Sequence, residues 1–219
     1  MIGGVILDMD GTLLDTEKLS IKAWNYAGKK MGVGEAGFMV PRVIGLSEEK
    51  SNIILREQFG EDFDVKKFRK IKRDYATRQI RLHRPELKPG AAEALEYMRK
   101  NGIPYAIATS TALPLAKQRL RRARLLKHCP FIVGGDMVTK GKPDPEIFER
   151  ARDMLGVETE KCIVVEDSPA GALGAHRGGF RAVMVPDLVQ PDDETRAFLW
   201  KLLPSLEALP DVIGGENEK

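Results

Sequence analysis

Five short apolar runs constrain this chain more than any other feature: "GVILD", "IPYAIATS", "FIVGG", "KCIVVED" and "RAVMVPD". Each is rich in β-branched residues and none alternates with polar ones, the pattern of strands buried on both faces of a parallel sheet. Helical periodicities lie between them. "PGAAEALEYMRKNG" puts Ala91, Ala94, Leu95 and Met98 on one face and Gly102 at the stop. "KPDPEIFERARDMLG" repeats the logic, with Asp144 as N-cap, Pro145 in the first turn, a stripe of Ile147, Ala151, Met154 and Leu155, and Gly156 to end it. Alternating strands and helices predict an α/β fold, a doubly wound, Rossmann-like parallel sheet with five core strands.

The stretch 16–85 breaks this alternation, because it holds amphipathic segments and no strand-like run. It is expected to be an inserted α-helical cap over the carboxyl edge of the sheet, where open α/β sheets bind ligands. The catalytic core then comprises 1–15 and 86–219, and 214–219, "GGENEK", is expected to be a disordered tail with nothing to bury. At 219 residues and 42% hydrophobic, the chain can bury one sizeable core and a small second unit.

A formal charge of +3, from 35 Lys and Arg against 32 Asp and Glu, gives no argument for a nucleic-acid or membrane partner. Cys129 and Cys162 are far apart and fit no metal or disulfide pattern, which suits a reducing compartment. The N-terminal run Val5 to Leu7 is too short for a signal-peptide core, and a cytoplasmic protein is expected.

The chemistry gathers at strand ends. Residues i and i+2 of a strand point to one side about 6.6 Å apart, so Asp8 and Asp10 of "ILDMDGT" face one pocket. Two anions so placed need a cation, and oxygen-only ligands without a His cluster point to a hard ion such as Mg²⁺. Gly11 then allows a ligand close to the backbone. Glu166 and Asp167 end "CIVV", Thr109 ends "YAIAT" with Ser110 and Thr111 beside it, and Lys142 follows "FIVGG". Carboxylates, a hydroxyl, an ammonium and Mg²⁺ suit phosphoryl transfer, with Asp8 as the nucleophile.

These four segments, "DMDGTLLDTE", "AIATS", the Lys142 loop and "VVEDS", resemble the ordered motifs of the haloacid dehalogenase superfamily, in its phosphatase and β-phosphoglucomutase-like branch. The resemblance covers most of residues 1–186. It implies Asp8 as the nucleophile of an aspartyl-phosphate and Asp10 as general acid and base. It also implies Thr109 and Lys142 holding the phosphoryl group, and Mg²⁺ bound by Asp8, the carbonyl of Asp10 and Asp167, with Glu166 as a further ligand or a neighbour of one. The implied substrate is a small phosphorylated metabolite, a sugar phosphate or nucleotide monophosphate. Two positions depart from the β-phosphoglucomutase pattern: Ser20 stands where a His is usual, and Glu48 in "GLSEE" where an Arg is usual. An acid there repels a second phosphate, which favours hydrolysis over mutase chemistry, unless Arg42 or Lys50 substitutes.

Other features have plainer readings. "GGDMVTKGKP" misses a P-loop because Pro143 stands where Ser or Thr is required and Gly135 is one position early. The basic run Lys117 to Lys127 has Leu113, Ala116, Leu120, Ala123 and Leu126 at helical spacing, and is expected to be a solvated helix face. His83, His128 and His176 match no ligand spacing; Tyr26 is expected to pack within the cap, and Trp24, close in sequence to the first motif, either packs there or meets substrate. A phospho-acceptor receiver domain is the reading from another class; the acid doublet and the long cap count against it.

Overall fold

The structure, a computed structural model, describes residues 1–43, 46 and 48–217. Strands β1 (Gly4–Leu7) and β2 (Leu14–Asp15) lead into α1 (Glu17–Lys30), α2 (Val40–Val43), α3 (Glu48–Phe59) and α4 (Val65–Leu82). The chain returns through β3 (Glu86–Leu87), then alternates: α5 (Ala91–Lys100), β4 (Tyr105–Thr109), α6 (Leu113–Arg122), β5 (Ile132–Gly134), α7 (Glu146–Leu155), β6 (Cys162–Glu166), α8 (Pro169–Arg177) and β7 (Arg181–Met184). It closes with α9 (Asp193–Phe198), β8 (Lys201–Leu202) and α10 (Leu209–Asn217).

The main sheet is parallel, in the order β5-β4-β1-β6-β7-β8. β1 lies between β4, where Val5 pairs with Tyr105, and β6, where Val5 pairs with Ile163. The unbroken apolar runs follow from this position. Val5, Leu7, Ile107, Ile163 and Val165 point into one core with Leu95 and Ile213, while Ile6, Ala106, Val164 and Ala182 point into the other with Ile147 and Phe148. Both faces are covered, so the interior positions of the central strands are apolar.

Three expectations need correction. The sheet has a sixth strand, β8, a two-residue edge with both residues exposed, which leaves no apolar run to read. Helix α7 begins at Glu146 with Pro145 at the N-cap; Asp144 still serves the end, its Oδ1 accepting from Glu146 N at 3.1 Å. The expected tail is helical through Asn217, whose side chain accepts from Ile2 N at 2.6 Å, and Glu216 pairs with Arg181 at 3.4 Å. Glu218 and Lys219 lie outside the described residues.

The cap has its own core, in which Trp24, Ala27, Met39, Leu55 and Phe68 pack together and the Trp24 and Phe68 rings meet edge-on at 5.1 Å. Tyr26, 40% exposed, stacks on Tyr75 at 4.7 Å. The two passages between cap and core are tied by an antiparallel ribbon, Leu14 pairing with Leu87 and Asp15 with Glu86. Two-residue strands give no sequence signal, yet this ribbon sets the cap over the carboxyl edge of β1, β4, β5 and β6. Among the described residues, no helix is long and apolar enough to cross a membrane.

Candidate active site

The parallel register brings the ends of four strands together. Lys142, 2% exposed, is the hub: its Nζ lies 2.5 Å from Asp8 Oδ1 and 2.5 Å from Glu166 Oε1, and donates to Ala108 O at 3.3 Å. A buried ammonium needs partners on all sides. Burial alone would lower its pKa, but Asp8 and Glu166 outweigh it and hold the charge firmly. Burial pushes the Asp8 carboxyl up, to about 7, against the pull of Lys142; Glu166 and Asp10 add to the rise.

Both carboxylate oxygens of Glu166 are hydrogen-bonded. Oε1 faces Lys142, and Oε2 accepts from Asp167 N and Ser168 N at 3.1 Å and from Ser168 Oγ at 2.9 Å. It shares Lys142 with Asp8.

Asp167 is different. Oδ1 accepts a long hydrogen bond from Thr12 Oγ1 at 3.4 Å, and Oδ2 is buried with no partner. Burial first, then Glu166 and Asp8, raise its pKa well above the ordinary value. An orphaned buried carboxylate oxygen is costly unless something cationic sits against it. Gly11, at φ +90°, lies directly below: a Cβ there would overlap the Asp167 carboxylate. The close approach expected at Gly11 is thus made by Asp167.

Among the described residues, no three His, Cys, Asp or Glu side chains close a cation cage by themselves. The carboxylates of Asp8, Glu166 and Asp167 bear on one another here, and this oxygen-only set with its orphaned oxygen fits a divalent cation such as Mg²⁺.

Asp10 shows what sequence reading missed. Its carboxylate accepts from Thr16 Oγ1 at 2.9 Å, Thr111 Oγ1 at 2.7 Å and Arg119 Nη1 at 2.6 Å. Arg119 belongs to the basic run expected to be a solvated face, and that expectation fails for it: the guanidinium is turned into the site. Glu17 was also missed. It is buried beneath the site, its Oε2 has no partner, and burial followed by Asp10 and Asp187 pushes it up to about 8. Thr109 is buried and accepts from Thr111 N at 3.1 Å, whereas Ser110 is exposed on the wall of the cleft.

This cleft between cap and core measures about 1020 Å³ and reaches Asp10, Lys142 and Ser110 on the core side. Lys50 and Glu48 line it from the cap, but Arg42 does not, being hydrogen-bonded to Gln58 at 3.0 Å. Gly45 and Ser47 of the "GLSEE" loop lie outside the described residues.

A capped, doubly wound sheet with an acid doublet, a buried lysine and a second acid pair at one edge defines an enzyme class, hydrolases of phosphate monoesters. The model of the haloacid dehalogenase-like hydrolases matches residues 5–185, and the chain belongs to that family as an enzyme of its phosphatase type. It is 36% identical over 179 residues, 82% of each chain, to the phosphorylated carbohydrates phosphatase of Thermotoga maritima. It is 30% identical to hexitol phosphatase A of Escherichia coli, over 83% of this chain and 82% of that one. Among solved structures, a mutant CbbY of Rhodobacter sphaeroides in complex with xylulose-(1,5)bisphosphate superposes with a TM-score of 0.80 at 26% identity, over 95% of this chain and 96% of that one.

Proposed function

We propose that this protein is a Mg²⁺-dependent phosphatase that hydrolyses a small phosphorylated carbohydrate through an aspartyl-phosphate on Asp8. The observation that carries the reading is the pairing of Asp8 with Lys142 at 2.5 Å, beneath a cleft that also presents Asp10. Lys142 holds the Asp8 carboxylate in place and offsets repulsion between it and an incoming phosphate dianion. Asp8 Oδ attacks phosphorus as the ester bond breaks, and Asp10 gives its proton to the departing alcohol oxygen. A water then attacks the phosphorus of the acyl phosphate, Asp10 takes its proton back, and inorganic phosphate leaves with Asp8 restored. Thr109 donates to a phosphoryl oxygen during both displacements, and Glu166 keeps Lys142 aligned. Asp8, Asp167 and the Asp10 carbonyl would hold Mg²⁺, which would supply charge neutralisation at the phosphoryl oxygens.

The relatives named as phosphatases support hydrolysis rather than isomerisation. Hexose and pentose monophosphates incubated with enzyme and Mg²⁺ are expected to yield inorganic phosphate and free alcohol. Accumulation of an isomeric sugar phosphate that depends on a bisphosphate primer, without comparable phosphate release, would establish a mutase instead.

A further inference from the structure

Helix α4 turns one face into the cleft: Arg69, Lys72, Arg73 and Ala76, spaced i, i+3, i+4 and i+7, all line it. The charges on this face are balanced unequally. Arg69 is occupied by Asn52 at 2.7 Å and by Glu48 at 3.6 Å, so the acid expected to repel a second phosphate is itself neutralised. On the opposite side of α4, Lys70 pairs with Asp74 at 2.8 Å in solvent. Lys72 and Arg73 have no hydrogen bond or ion pair among the described residues. Lys72 is half-buried, with its ammonium over the Trp24 ring at 5.0 Å; Arg69, Arg119 and Arg73 bear on it with like charge, and Glu48 opposes them. Burial, then Arg69 and Arg119, draw its pKa down to about 8. Arg73 is exposed with Asp74 near it, and the carboxylate that bears on Lys72, Glu48, already pairs with Arg69, so this wall of the cleft keeps a positive surplus that an entering anion offsets. The scissile phosphate is handled elsewhere, at Asp8 and Lys142.

We propose that Lys72 and Arg73 form a subsite for a second anionic group on the substrate, a carboxylate or a second phosphate at the end away from the scissile ester. This deepens the phosphatase reading and rests on it. An ammonium backed by an indole and a neighbouring guanidinium suits a carboxylate or phosphate better than a neutral polyol tail. It also revises the inference from Glu48, whose carboxylate is paired with Arg69 on the same wall.

The test compares substrates that differ only in the tail: glycerol phosphate with phosphoglycerate, and a hexose monophosphate with the corresponding hexose bisphosphate. The anionic-tailed member of at least one pair is expected to exceed its neutral counterpart in kcat/KM by about tenfold or more, and which pair responds separates carboxylate from phosphate. The double variant Lys72→Met, Arg73→Gln should lower the anionic-tailed reaction by about tenfold more than the neutral-tailed one, while Lys72→Arg keeps the preference and melting curves report the fold. Equal kcat/KM within both pairs, or equal loss on both tails, would overturn the proposal. Titration of Asp8→Asn protein with the same compounds measures the preference without turnover, and equal Kd values there would likewise overturn it. Failure of the phosphatase reading looks different: no phosphate is released from any compound, p-nitrophenyl phosphate included.

Discussion

Arg119 Nη1 lies 2.6 Å from Asp10 Oδ1 and also reaches Thr111 Oγ1 at 3.2 Å, so a residue from a basic helix sets the position of the proposed acid and base. The same helix reaches the cap one turn later, where Arg122 donates to Ile80 O and Arg81 O at the end of α4. If Arg119 works through Asp10, their losses are not additive. Asp10→Asn should slow turnover by about 10² to 10⁴. Arg119→Gln should slow the wild type by about tenfold but change Asp10→Asn little. Additive losses in this double-mutant cycle would show that Arg119 acts elsewhere.

Why Arg119 escaped a reading of the sequence is instructive. It sits between the buried Ala116 and Leu120, at the edge of the apolar stripe, and periodicity cannot say which flanking charges meet another part of the chain. Asp8, Asp10 and Asp167 lie just past β1 and β6, and their gathering with Glu166 follows from parallel strands sharing one carboxyl edge, not from strand periodicity. The β2–β3 ribbon and β8 were not legible in the sequence, since two paired residues carry no periodicity. The helical end at Asn217 depends on a contact with Ile2 215 residues away, which no local pattern contains.

The orphaned oxygen of Asp167 ties metal to stability. Mg²⁺ that binds only the folded protein raises the melting temperature by mass action. Millimolar Mg²⁺ should therefore shift the melting curve of the wild type upward and that of Asp167→Asn much less. Superimposable wild-type curves with Mg²⁺ and with chelator would remove Asp167 from the metal site.

Glu17 gives a pH dependence whose sign can be worked out. Burial first, then Asp10 and Asp187, raise its folded pKa from the ordinary 4.5 to about 8. Between these values the folded chain keeps a proton that the unfolded chain has released, so stability falls as pH rises through the window. Asp8, at about 7, and Asp167 act with the same sign. The melting temperature of metal-free protein should thus decline from about pH 5 to about pH 8, and Glu17→Gln should flatten the decline without abolishing it. An unchanged slope in the variant would contradict this.

Phe68 tests the independence of the cap core. It is fully buried, with ring centroids 5.1 Å from Trp24 and 5.5 Å from Phe63. Phe68→Ala should cost about 3–5 kcal/mol and leave a cavity among cap residues alone. Hydrogen exchange should accelerate in α1, α3 and α4 while β1, β4 and β6 stay protected; uniform acceleration would mean that cap and core unfold as one unit.

The central claim is that Asp8 carries the phosphoryl group. Acid-quenched enzyme, taken during turnover of a sugar phosphate, should hold a hydroxylamine-sensitive phosphoryl label on the peptide containing Asp8, and Asp8→Asn should show neither label nor phosphate release. Phosphate release by Asp8→Asn within about tenfold of the wild-type rate would contradict the assignment of Asp8 as nucleophile.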